Sequence, residues 1–100
     1  MSYRIVYLPD TVADQELIKT YLQQFYPNTI KKYFNLLKSK TTRLKIFPYS
    51  CPKYDDDPDY RILTVADYLV FYMANEEKKI VEIHRIFHGS QNISDLIPNK

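Results

Sequence analysis

The sequence predicts an α+β domain in which an antiparallel two-helix hairpin covers one face of a small, mostly antiparallel sheet. Three observations carry that prediction. Residues 3–8, YRIVYL, are β-branched and aromatic and stop at Pro9. Residues 11–44 then hold two stretches in which apolar side chains recur every three or four positions. Finally, YRILTV, YLVFYMA and IVEIHRIFH follow as three strand-like runs separated by short polar turns.

The first strand ends where proline removes a backbone donor. Asp10 or Thr11 is placed to cap the helix that follows, with Asp14 at the capping-box position if Thr11 is the cap. Leu17, Ile18, Tyr21, Leu22 and Phe25 fall on one arc at 100° per residue and Gln15, Glu16, Lys19, Thr20 and Gln23 fall opposite, so this helix is amphipathic and ends before Pro27. Asn28 is placed to cap a second helix with a stripe of Ile30, Tyr33, Phe34, Leu37, Thr41 and Leu44, broken at Phe47 and Pro48. So short a link makes the two helices antiparallel neighbours. Leu36 lies off the stripe, a hint of a second contact surface.

Residues 48–59, PYSCPKYDDDPD, carry three prolines and four aspartates without period and read as a loop. The three runs after it form an antiparallel meander, turning at Ala66–Asp67 and at NEEKK. The first strand has to pair to hide its edge, which gives a four-stranded sheet with the helices on one face and the other face open. ISDLIPNK, at residues 93–100, is short enough to dock as a turn or to fray. Neither a repeat nor a boundary interrupts the chain, so residues 1–100 read as a single domain.

Composition limits function without naming it. Hydrophobic residues make up 45% and charged residues 26%, ordinary globular values, and no apolar run approaches the ~20 residues that span a bilayer. The N-terminus lacks a signal-peptide pattern and Cys51 is the only cysteine, which together point to the cytoplasm. A net charge of +2 is too mild for a dedicated nucleic-acid binder. Ten tyrosines suit both a small core and a binding surface. Nothing has the spacing of a metal site, and the aspartates of residues 55–59 lack the glycine and closing glutamate of a calcium loop.

The chemistry-bearing residues collect in the last strand. Alternation puts Val81, Ile83, Arg85 and Phe87 on the helix side and Glu82, His84, Ile86 and His88 on the open side. Arg85 is out of place among apolar neighbours, unless it reaches the rim or a bulge near the lone glycine, Gly89, turns it outward. Two histidines about 7 Å apart, with Arg61 at the start of a neighbouring strand, are the base, acid and cation that a metal-free ribonuclease needs. Packing or a surface position is the ordinary account of two such histidines near a strand end. Lys31, Asn35, Lys38, Thr42 and Lys45 form a polar stripe on the second helix, either a solvated face or a track for RNA phosphates.

Taken in order, YRIVYLP, the A-D-x-x-L-I-x-x-Y pattern from Ala13 to Tyr21, the lysine-rich second helix with its exit IFPYS, then YRILTV, DYLVFYM and RIFHG resemble the RelE/ParE superfamily of bacterial type II toxin-antitoxin toxins. The resemblance covers nearly the whole chain. It implies the strand, helix-hairpin and sheet arrangement, and a growth-inhibiting toxin neutralised by a cognate antitoxin that wraps it. Operator DNA is then met only through the antitoxin complex, and no cofactor is needed.

Two targets stay open. RelE-like members cleave ribosome-bound mRNA, and for that activity the residues are His88 as general acid or base, His84 as its helper, Arg61 and Arg85 as phosphate clamps, with Lys31, Lys38 and Lys45 holding RNA. Arg61 matches one basic position of such members, while Leu63, Leu69, Ser90 and Gln91 stand at others. ParE-like members poison DNA gyrase without catalysis and share the His88–Gly89 ending, though two arginines usually follow it. An inactive toxin kept as an antitoxin-binding or corepressor module is the alternative to both.

Overall fold

The computed structural model describes residues 2–89. The expected docking of residues 93–100, and Ser90 and Gln91, lie outside the described residues. The element order is β1 (Arg4–Tyr7), α1 (Pro9–Phe25), a 3-10 turn (Pro27–Thr29), α2 (Ile30–Arg43), β2 (Lys53–Tyr54), β3 (Asp57–Val65), β4 (Tyr68–Asn75) and β5 (Ile80–His88). The strands form one mixed sheet in the order β1-β5-β4-β3-β2, parallel only between β1 and β5.

The α+β class and the helix hairpin stand, but the sheet has five strands and not four. The extra strand comes from the stretch read as a loop. Lys53 and Tyr54 pair with Arg61 and Asp57 across a tight turn, so β3 begins at Asp57. Pro58 is compatible with that position because it sits near the start of a strand, beside a two-residue edge partner.

Both helix starts also differ from expectation. Leu8 is the extended residue ahead of α1 and Pro9 occupies the first turn, where a missing N–H costs nothing. Thr11 lies inside the helix, its hydroxyl within reach of the carbonyls of Leu8 and Ile83. Asn28 lies within the 3-10 turn, whose Thr29 N–H bonds to the Tyr26 carbonyl at 3.0 Å, so α2 begins without a side-chain cap.

The main core lies between the helices and the sheet. Ile18, Leu22, Tyr33, Leu37 and Leu44 meet Val65, Val70, Tyr72, Val81 and Ile83 there. For α2 the expected stripe is the buried one, with Ile30 and Phe34 partly covered. For α1 the buried arc is Thr11, Asp14, Ile18 and Leu22, rotated away from the apolar arc. Leu17, Tyr21 and Phe25 therefore stand exposed, Leu17 by 71%. The second face of the sheet is not bare. Tyr60, Phe71 and Phe87 form a smaller cluster there, with Phe71 fully buried.

Two turn residues have left-handed backbones, Ala66 at φ 53° and Lys79 at φ 55°. Such turns match the twist of the hairpins they close. Phe71→Ala should cost about 3–5 kcal/mol, because it opens a cavity under a closed cluster, whereas Leu17→Ala should stay within about 0.5 kcal/mol. Urea unfolding of the two variants measures the difference.

Candidate functional site

Strand β5 does not run straight past β4. Ile83 faces Tyr72 and Arg85 faces Phe71, which leaves His84 without a cross-strand partner. This is a β-bulge, and an extra residue inverts the alternation beyond it. Before the bulge Val81 and Ile83 point to the helices; after it Ile86 does, while Phe87 joins Phe71 and Tyr60 on the second face.

The expected faces are thus corrected for the second half of the strand. Arg85 and Phe87 belong to the second face, and Ile86 and His88 to the helix side. A bulge does turn Arg85 outward, but it lies at His84–Arg85 and not near Gly89. Gly89 N–H instead bonds to the Asp67 carbonyl at 2.8 Å, and a Cβ at Gly89 would approach that oxygen to 3.3 Å.

The bulge is held by α1. Strand β1 ends at Tyr7, so beyond Ile83 the outer edge of β5 has no strand beside it. The first turns of α1 take that place. Leu8 N–H bonds to the Ile83 carbonyl at 3.0 Å, and the Thr11 hydroxyl reaches the same oxygen at 3.0 Å. Asp14 accepts three bonds: from Ile86 N–H at 2.9 Å, Arg85 Nε at 2.8 Å and Arg85 Nη2 at 3.0 Å. The Asp14 side chain is only 8% exposed and that of Arg85 29%, so the carboxylate of this two-pronged ion pair stands largely out of water while the guanidinium reaches the surface. Its hydrogen bonds raise the Arg85 pKa further, against the opposing effect of burial. The guanidinium also lies 4.7 Å from the centre of the Phe87 ring.

His84 sits beside this clamp on the second face. Its Nδ1 is 3.4 Å from the Tyr60 hydroxyl, the two rings meet edge to face at 5.2 Å, and Glu82 Oε1 stands 3.6 Å from Nε2. Leu8, Pro9, Asp10, Tyr60, His84 and Arg85 line an open cleft of about 250 Å³. Among the described residues no three His, Cys, Asp or Glu side chains converge to hold a metal ion.

The remaining candidates are elsewhere. His88 faces Tyr68 across the ladder and meets its ring at 5.4 Å; Tyr68 belongs to the helix-side core, so the two histidines occupy opposite faces. Arg61 faces Tyr72, also on the helix side. Its Nη1 donates to the carbonyls of Cys51 at 2.8 Å and Tyr49 at 3.2 Å, and its guanidinium stacks 5.1 Å from the Tyr49 ring. It ties down the segment after α2. Of the four candidate catalytic residues, only His84 and Arg85 come together. Lys31 and Lys38 on α2 and Lys45 just after it are exposed, Lys31 in the groove between α1 and α2.

Asp14 and Tyr60 were missed as site residues. The signal for Asp14 was present: it lies four residues before the buried Ile18, and Arg85 was the misfit that it satisfies.

The frame is thus a helix hairpin on a small mixed sheet, with Arg61 and Arg85 both tied to groups of the protein itself. The family model of the ParE toxin of type II toxin-antitoxin systems, parDE, matches residues 5–93, and the chain belongs to that family. Among solved structures it resembles the chromosomal ParDE toxin-antitoxin system of P. aeruginosa, with TM-score 0.69 and 16% identity over 87% of this chain and 96% of that one. It also resembles the RelBE2 toxin-antitoxin complex of Mycobacterium tuberculosis, with TM-score 0.62 and 14% identity over 88% and 99%. The archaeal RelE-RelB complex of Pyrococcus horikoshii OT3 is similar at TM-score 0.55 and 17% identity over 91% and 99%. Comparison with curated proteins gave no match.

Asp14→Ala should lower stability by about 3 kcal/mol, since it strands both a buried N–H and the Arg85 cation. With Arg85→Ala and the double variant this makes a thermodynamic cycle, and its coupling energy should be about 1–3 kcal/mol by chemical denaturation.

Proposed function

We propose that this protein is a growth-inhibiting toxin, held inactive by a cognate antitoxin, that acts by docking on DNA gyrase and not by cleaving RNA. The observation that carries the choice of target is the separation of the would-be catalytic groups. Strand scission by a metal-free site needs a base, an acid and a cation around one phosphate. Here Arg85 is bound by Asp14, Arg61 is spent on the Tyr49 and Cys51 carbonyls, and His88 lies on the face opposite His84. Membership of the ParE family supports the same target.

The antitoxin reading is supported by the similar structures, which are toxin-antitoxin systems and complexes. Exposed anchors suited to a wrapping partner are Leu17, Tyr21 and Phe25 on α1, and Ile46 and Phe47 after α2. Large apolar side chains of this kind dominate the energetics of protein interfaces. No helix among the described residues is long and apolar enough to cross a membrane. We place the protein in the cytoplasm, where both proposed partners are found.

Toxin freed of antitoxin should inhibit supercoiling by gyrase and leave ribosome-bound message uncut in a toeprinting assay. The double variant His84→Ala/His88→Ala should change supercoiling inhibition by less than about threefold, whereas an acid–base role would show as a loss of message cleavage of roughly 10²- to 10⁴-fold. Message cut at the ribosome and lost in that variant would reverse the assignment. A folded toxin that leaves both targets untouched and growth unchanged would favour the corepressor alternative.

A further inference from the structure

Charge is divided unevenly along this chain. Residues 17–54 contain eight of the fourteen basic residues and none of the twelve acidic ones, leaving six basic against twelve acidic residues in the remainder. A net charge of +2 therefore conceals a strongly basic half.

The fold concentrates that half on one surface. The buried side of α2 is Tyr33, Leu37 and Thr41, continued by Leu44. At 100° per residue Lys31 and Lys38 lie about 105–125° round the helix from that buried arc, on the flank toward α1, with Lys45 just past the helix end; Lys32 and Arg43 lie on the other flank, and all five are exposed. None of the five has an ion-pair partner among the described residues, whereas Lys40, at the boundary with the sheet, donates to the Thr64 carbonyl at 2.9 Å. The acids that could compensate lie elsewhere in the chain, at Asp55–Asp57 and Asp59 of the β2–β3 hairpin and at Glu76 and Glu77 of the β4–β5 turn. Only Glu16 comes close, across the groove that it lines with Lys31.

We propose that this face of α2 binds the sugar-phosphate backbone of duplex DNA. Helical rise sets Lys31 and Lys38 about 10 Å apart along the axis, enough for each to meet a separate phosphate of one backbone. Lys45 follows at a similar interval just past the helix. Asn35, between the first two lysines, is exposed and of a type that donates to phosphate, while the Thr42 hydroxyl donates to the Lys38 carbonyl at 2.7 Å. The stripe itself holds no aromatic side chain; Phe34 beside it is half-buried against Tyr33, and Phe47 stands exposed only past its end, short of the row of rings on which successive bases of a single strand stack. The exposed Tyr49 beyond it is engaged with Tyr3 and Arg61. This inference rests on the gyrase reading for its setting, since gyrase holds duplex DNA. A toxin docked on it would grip protein and DNA together.

The test is fluorescence anisotropy of the full-length toxin, freed of antitoxin, with a short mixed-sequence duplex over a salt series. Wild type should bind, with affinity falling steeply as salt rises. The variant Lys31→Gln/Lys38→Gln/Lys45→Gln should bind more than about tenfold more weakly at low salt, with a log–log salt slope shallower by about 3. Lys78→Gln, in the β4–β5 turn, should bind as wild type, and unchanged melting of the triple variant shows that its fold is intact. The proposal is overturned if wild type ignores the duplex, if the triple variant binds like wild type, or if single-stranded RNA of equal length binds more tightly. Failure of gyrase inhibition with salt-sensitive duplex binding intact would sink the docking target and leave this surface standing.

Discussion

Asp14 holds the last strand of the sheet from outside it. Strand β1 covers only the first half of β5, and a bare edge beyond Ile83 would leave backbone groups unpaired. The first turns of α1 replace the missing strand, with Thr11 at the Ile83 carbonyl and Asp14 at the Ile86 N–H. Because the same carboxylate binds Arg85, the extra residue of the bulge is fixed in place and the faces of Ile86, Phe87 and His88 follow from it. Helix position, sheet register and the fate of one arginine are thus one constraint.

That constraint also explains what could be read from the sequence and what could not. Period alone locates both helices and the three long strands within a few residues, because the main core is built from apolar side chains at regular spacing. It fails at α1, where the buried arc includes Thr11 and Asp14. A polar residue on a buried arc is satisfied by a backbone 72 residues away, and no local pattern carries that information. The misplaced arginine was visible as a misfit, yet its partner was not, and the bulge that reconciles them inverts the strand just where the candidate site begins. The short β2 strand was hidden for another reason. A two-residue edge between prolines and aspartates has too few positions to show a period.

The distribution of cations links the fold to the proposed function. Three that touch the sheet help to build the protein: Arg85 on Asp14, Arg61 on the carbonyls after α2, Lys40 on the β3 edge. Those facing solvent on α2 are uncommitted. A site for phosphate chemistry would place its cations the other way round, in the cleft beside His84. With an aromatic and leucine stripe on α1 and a basic face on α2, the molecule has the form of a protein that holds others.

Whether Arg85 is committed to Asp14 can be read directly in solution. By NMR the Nε–H of Arg85 should be resolved and should exchange slowly with water, set apart from those of the exposed Arg4 and Arg43. It should also be unmoved by added inorganic phosphate, because Asp14 already occupies it. If Arg85 exchanges as fast as those two, or shifts as phosphate is added, then the clamp does not hold, the cation is free to serve His84, and a docking toxin without catalysis is the wrong description of this molecule.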